Sequence, residues 1–147
     1  MADIKRQASA VWTGSLREGA GSASVASGVV EGVPITFVSR FEHGPGTNPE
    51  ELIAAAHAAC FSMALSAGLT AAGTPPAEIR TTATITLTMG EGGPTITAVH
   101  LDTEGRVPRI DQAAFLAAAQ EAKAGCPVSR LLTPGLASLT LAARLVA

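Results

Sequence analysis

Apolar and polar positions change rhythm several times along the chain, and each change marks an element. Near the N-terminus, Ala8 to Trp12, Ser22 to Ser27 and Val33 to Arg40 read as short β-strands that could pair as a meander. In the third of them Val33, Ile35 and Phe37 alternate against Pro34, Thr36 and Val38. The Gly, Ser and Ala residues between Gly14 and Gly28 supply turns, and His43-Gly44-Pro45-Gly46 breaks the strand rhythm. Thr47-Asn48-Pro49-Glu50-Glu51 then opens a helix, with Asn48 as N-cap, Pro49 at the first helical position and two carboxylates in the first turn. The helix is predicted to run to about Leu69 or Ala72, before Gly73 and Pro75-Pro76 stop it. It is rich in Ala and apolar nearly all round. Such a helix wants cover on every side, and a domain of this size can hardly wrap it alone, so part of its surface is expected to meet a second copy of the chain.

Beyond Pro76 the period returns to two. From Thr82 to Met89, Ala83, Ile85, Leu87 and Met89 share one face and four threonines the other, as in a sheet wet on one side. Gly90 to Gly93 form the turn. In the partner run, Thr95 to Thr103, Ile96 and Ala98 fall out of phase with Val99 and Leu101, which predicts a β-bulge. Asp111 caps a helix running through Ala124, Pro127 starts a short second one, and Leu139, Leu141, Ala143 and Leu145 alternate in a closing strand. Hairpin-linked strands with helices in blocks place the chain in the α+β class, as a single domain over residues 1–147.

Composition narrows the function classes. The chain has 147 residues, 47% of them hydrophobic and 15% charged, with a formal charge of −2; this is unlike a disordered tail or a basic nucleic-acid binder. Aromatic residues are 3% of the total, too few for base-stacking platforms, so no nucleic-acid partner is expected. No apolar segment follows Lys5 and Arg6 in the manner of a secretory signal, which points to the cytoplasm. The longest apolar run, Leu52 to Phe61, is broken by His57 and falls short of the ~20 residues of a membrane span, so no membrane association is expected. No P-loop, GxGxxG or GxSxG pattern occurs.

Chemistry then rests on few residues. The two cysteines, Cys60 and Cys126, are either buried small hydrophobes or a redox couple. Cys126 falls at the N-cap of the short helix, where the helix dipole, with Lys123 and Arg130 nearby, favours a thiolate; local physics alone makes it the more acidic thiol. Cys60 lies inside the long helix, where burial raises its pKa unless a cation offsets it. His57 precedes Cys60 by three residues and shares its helix face, as a base or hydrogen-bond partner for the thiol or as a ring satisfied in the helix interface. A zinc site drawing on Cys60, Cys126, His57 and His43 or His100 lacks ligand spacing, so no metal is expected. A buried thiolate would need a fixed cation, and a fixed arginine usually needs a carboxylate to hold it; Arg17, Arg40 and Glu50 are the candidates.

The stretch Ser39-Arg40-Phe41-Glu42, then Gly46-Thr47-Asn48-Pro49-Glu50-Glu51 through His57-Ala58-Ala59-Cys60-Phe61-Ser62-Met63-Ala64-Leu65, together with Ala122-Lys123-Ala124-Gly125-Cys126-Pro127-Val128-Ser129, closely resembles the osmotically inducible protein C and organic hydroperoxide resistance family, in its OsmC branch. The likeness extends over essentially the whole chain. It implies an α+β fold with antiparallel sheets, a long buried central helix and intertwined homodimers, and a thiol-dependent peroxidase that reduces organic hydroperoxides to alcohols in stress defence. By position it makes Cys60 the attacking thiol, Cys126 the resolving thiol, Arg40 the arginine beside the thiolate and Glu50 the carboxylate that orients it, reversing the local preference for Cys126. Arg17 is the alternative arginine, matching the early-loop position used in the organic hydroperoxide resistance branch. Phe41, Leu52, Phe61 and Met63 are candidate walls of a substrate pocket, and His57 is a possible auxiliary. No cofactor is implied beyond a dithiol reductant, of lipoyl type in this family. A non-catalytic redox sensor or hydrophobic-ligand binder on the same fold is the alternative reading.

Helical arithmetic adds one constraint. Ten residues separate Glu50 from Cys60, which in one straight helix is about 15 Å along the axis and about 80° in azimuth. Two such helices packed antiparallel across a twofold would bring Glu50 of one copy beside Cys60 of the other, so composite sites at a dimer interface are expected, with Arg40 crossing alongside Glu50.

Overall fold

The computed structural model describes residues 2–147, and the chain forms two compact units whose boundary in sequence falls between Leu52 and Ile53. In the first, β1 (Ala8–Thr13), β2 (Ala20–Val25) and β3 (Val33–Ile35) make an antiparallel sheet in that order. The strand expected to reach Arg40 ends at Ile35, because Phe37–Phe41 is a helix, α1. Thr36 takes an extended backbone and its hydroxyl accepts from the Ser39 N–H at 3.0 Å, while the Ser39 hydroxyl accepts from the Thr36 N–H at 2.9 Å. This reciprocal capping box satisfies two donors that a helix start leaves bare, and it wins over an alternation only three residues deep. Among the described residues of this unit only Ser39 and Glu50 are buried, and β1 is exposed along its whole length. Three strands without a buried apolar side chain do not sustain themselves.

Helix α2 (Pro49–Ala71) begins as the sequence predicts, the Asn48 side chain accepting from the Glu51 N–H at 2.8 Å. Its 23 residues are long and apolar enough to cross a membrane, which the interrupted run from Leu52 to Phe61 does not indicate. Burial along it is one-sided rather than complete. His57, Phe61, Leu65 and Leu69, four residues apart, form the buried edge, while Ala55, Ala56, Ala59, Met63 and Ala67 are exposed.

In the second unit β4 (Glu78–Gly90) and β5 (Gly93–Arg106) form a long antiparallel hairpin, with Ala83, Ile85 and Leu87 turned inward and the threonines outward. The expected bulge is present: the register slips between Thr86 and Leu87, whose partners are Ala98 and Ile96. The closing strand β6 (Ser138–Leu145) pairs with β5 in parallel, so the sheet is mixed and not antiparallel throughout. Between β5 and β6 the chain passes through α3 (Gln112–Gly125), α4 (Pro127–Leu132) and a short 3-10 turn, and such a crossover returns a strand in the direction it left. Phe61, Leu65 and Leu69 of α2 meet Val99 and Leu101 of β5 and Phe115, Ala119 and Ala122 of α3 in one buried cluster. Asp111 caps α3 by accepting from the Ala114 N–H at 2.8 Å.

Phe115 lies against the backbone of Gly105, where a Cβ would overlap its ring. The ring is fully buried and has nowhere to retreat. Gly105→Ala is therefore expected to destabilise the fold by about 1–3 kcal/mol, read as a lower midpoint in urea unfolding; an unchanged midpoint would show that this packing is slack.

Candidate active site

The first polar cluster belongs to the 1–52 unit. Ser39 ties α1 to the loop ahead of α2: its hydroxyl donates to the Thr47 carbonyl at 2.7 Å, and the Asn48 amide donates to the Ser39 carbonyl at 3.0 Å. The residue that caps α2 is thereby fixed to the end of α1, which sets Arg40 in the last turn of one helix against Glu50 in the first turn of the next. Arg40 Nη2 donates to Glu50 Oε1 at 2.9 Å, and Arg40 Nε lies 3.3 Å from both carboxylate oxygens. Glu50 is buried while the guanidinium stays partly open, the arrangement of a cation held by a carboxylate with one side to spare. Arg17, the alternative arginine, sits over the Phe37 ring at 4.6 Å. A cavity of about 340 Å³ opens beside Arg40, walled by Trp12, Leu16, Phe37 and Phe41. Of the pocket candidates, Phe41 lines this cavity. Leu52 is exposed on α2, Met63 is 73% exposed, and Phe61 is a fully buried core residue.

The second cluster belongs to the 53–147 unit and joins α2 to α4. Cys60 and Cys126 are both free thiols, and their side chains are hydrogen-bonding neighbours. Cys126 is the N-cap of α4, with Pro127 at the first helical position, as the sequence predicts, but its side chain makes no capping bond. The Val128 N–H, one of the donors a cap would serve, instead reaches the Cys60 sulfur. Helix α4 thus turns a donor toward Cys60 rather than toward Cys126. Lys123 donates to the Leu139 carbonyl at 3.3 Å and Arg130 is exposed.

Burial is the main influence on Cys60 and pushes its thiol up from the ordinary value; the Val128 N–H opposes this, and the hydrogen bond and charge of Cys126 push it further up. His57, one turn back on α2, is fully buried, its Nε2 lying 2.7 Å from the Ser129 hydroxyl, and burial lowers its pKa so that the ring is neutral at pH 7. Val128, Ser129 and the Trp12–Phe37 wall carry no signal in the sequence by which their roles were read, although Cys126 as N-cap already places Val128 and Ser129 in the first turn of α4.

An α+β chain with two free thiols in contact at a helix junction is built for thiol redox chemistry. The OsmC-like protein family matches residues 42–138, and the chain belongs to it. Peroxiredoxin OsmC of Escherichia coli K12 is 50% identical over 129 residues, covering 88% of this chain and 90% of that protein, and the Shigella flexneri peroxiredoxin OsmC matches equally. The chain is a cysteine-based peroxidase. Among solved structures, an organic hydroperoxide resistance protein from Elizabethkingia anophelis has a TM-score of 0.74 at 24% identity, covering 97% of this chain and 99% of that one. An OsmC from Legionella pneumophila, with a TM-score of 0.71 at 22% identity and the same coverages, shares the fold too.

The signs of the influences on Cys60 give a direct expectation. Because Cys126 disfavours the Cys60 thiolate, Cys126→Ser should lower the pH midpoint of Cys60 alkylation by iodoacetamide, bringing it nearer that of an ordinary thiol. A midpoint that stays put or rises would remove Cys126 from the electrostatics of Cys60.

Proposed function

We propose that the protein reduces organic hydroperoxides to alcohols, with Cys60 as the attacking thiol and Cys126 as the resolving thiol. The observation that carries this reading is the contact between the two free thiols. The Cys60 thiolate attacks the terminal peroxide oxygen; the O–O bond breaks, the alkoxide leaves and takes a proton as the alcohol, and Cys60 becomes a sulfenic acid. The Cys126 thiol attacks that sulfur, the hydroxyl departs as water with the thiol proton, and a disulfide forms. A small dithiol, of lipoyl type, then exchanges into the disulfide and restores both thiols while closing its own. No resident cofactor takes part, and the reaction is assigned to the cytoplasm.

Substrate preference and assembly follow from two further features. The cavity beside Arg40 is walled by aromatic and aliphatic side chains, which suits a hydrocarbon group better than hydrogen peroxide alone. Within the 53–147 unit Cys60 is pushed up by burial and opposed by a single backbone donor, so an efficient thiolate calls for a cation. We assign that cation to Arg40, held by Glu50, of a second copy, in keeping with the ten-residue spacing of Glu50 and Cys60 on α2. A second copy also covers the exposed stripe of α2 and the apolar side chains of the N-terminal sheet, whose Val11 is 66% exposed.

Stopped-flow consumption of cumene hydroperoxide tests the chemistry. Cys60→Ser is expected to lose on the order of a thousandfold or more in rate, while Cys126→Ser completes one turnover and then over-oxidises to the sulfinic acid, seen by mass spectrometry. Undiminished turnover in Cys60→Ser would leave a redox sensor or hydrophobic-ligand binder as the better reading. For the assembly, light scattering should give twice the chain mass, and Met63→Arg on the exposed stripe should yield monomers with little activity. A fully active monomer would refute the composite site.

A further inference from the structure

His57 and Ser129 stand beside the two thiols and have no part in the chemistry written above. They occupy a neighbouring rung of the same contact: His57 is one turn from Cys60 on α2, and Ser129 follows Val128 in the first turn of α4. One rung is the Val128 N–H on the Cys60 sulfur; the other is His57 Nε2 against the Ser129 hydroxyl at 2.7 Å. Both side chains of the second rung are buried, His57 at 0% and Ser129 at 1% exposure. The other ring nitrogen of His57, Nδ1, is buried with no hydrogen-bond partner among the described residues, so Ser129 is the imidazole's single polar attachment among them. Removing that attachment would leave a buried polar ring wholly unserved, which makes the pair hard to separate. Ser129 is itself anchored from below, its carbonyl accepting from the Thr133 hydroxyl at 2.6 Å.

A first turn of helix normally keeps its place through the N-cap side chain, and here Cys126 makes no such bond. A resolving thiol cannot serve as a permanent cap, since it must move onto Cys60 during turnover. We propose that the His57–Ser129 hydrogen bond takes over that duty, holding the first turn of α4 against α2 so that the Val128 N–H stays on the Cys60 sulfur. His57 and Ser129 are then positioning residues that act on the thiol through a backbone amide. The inference rests on Cys60 being the reacting thiol, but its test does not require peroxide reduction. The burial that lowers the His57 pKa keeps the ring uncharged where thiols titrate, so its action is one of placement and not of charge.

The test is the pH profile of Cys60 alkylation by iodoacetamide in a Cys126→Ser background, which removes the one ionisable neighbour acting on Cys60 within this unit. Ser129→Ala is expected to raise the midpoint by about half a unit to one unit, the effect of weakening one hydrogen bond to a thiolate. Thr140→Ala, which deletes a hydroxyl from the His100–Thr140 pair in the sheet, serves as control and should leave the midpoint in place. His57→Gln, whose amide can still reach the Ser129 hydroxyl, should stay close to the parent, and His57→Leu should shift as Ser129→Ala does. No shift in Ser129→Ala would overturn the proposal. So would equal midpoints in His57→Gln and His57→Leu, a comparison that stands if Ser129→Ala does not fold. If the midpoints move as expected while peroxide is not consumed, the placement holds and the peroxidase reading fails.

Discussion

Contact between the middle of α2 and the first turn of α4 fixes where both sulfurs lie. Helix α2 reaches that contact because Phe61, Leu65 and Leu69 are drawn into the core along one edge, and Cys60 and His57 ride on the same stretch of helix. Helix α4 reaches it because Gly125 ends α3 and Pro127 immediately starts a new helix, leaving Cys126 at the corner with its backbone N–H bonded to the Ala122 carbonyl. Neither helix need be long or strong for this; the hydrophobic cluster supplies the force and the corner supplies the direction.

The environment of Cys60 is a compromise. Partial burial against the apolar cluster suppresses the Cys60 thiolate. A backbone amide offsets part of that suppression without bringing a charge into the site. The Arg40–Glu50 pair follows the complementary logic, a guanidinium oriented by a carboxylate with the carboxylate on the buried side.

Much of this was legible in the residues. Asn48-Pro49-Glu50-Glu51 announced α2, Asp111 announced α3, and the phase slip around Ile96 and Ala98 announced the bulge, because each signal is local and the bonds it makes are local. The failures have equally local causes. Val33, Ile35 and Phe37 alternate like a strand, and the Thr36–Ser39 cap that breaks the alternation is easily overlooked because its second partner is serine. Period-two alternation in β6 is blind to direction, so its parallel pairing to β5 could not be read from it. The pairing of His57 with Ser129 joins residues far apart in sequence, and no pattern along the chain encodes it. The roles proposed for Cys60, Cys126, Arg40 and Glu50 rest on resemblance to a family, where local physics alone points to Cys126 as the more acidic thiol.

The outer side of β6 shows how the sheet is finished. Gln112, at the start of α3, donates through its side-chain amide to the Ala143 carbonyl at 2.8 Å and accepts from the Leu145 N–H at 2.7 Å. One side chain thus imitates a rung of backbone and occupies the ladder that another strand would seek. A margin plugged in this way is closed along residues 143–145 to the strand-by-strand addition that feeds fibres.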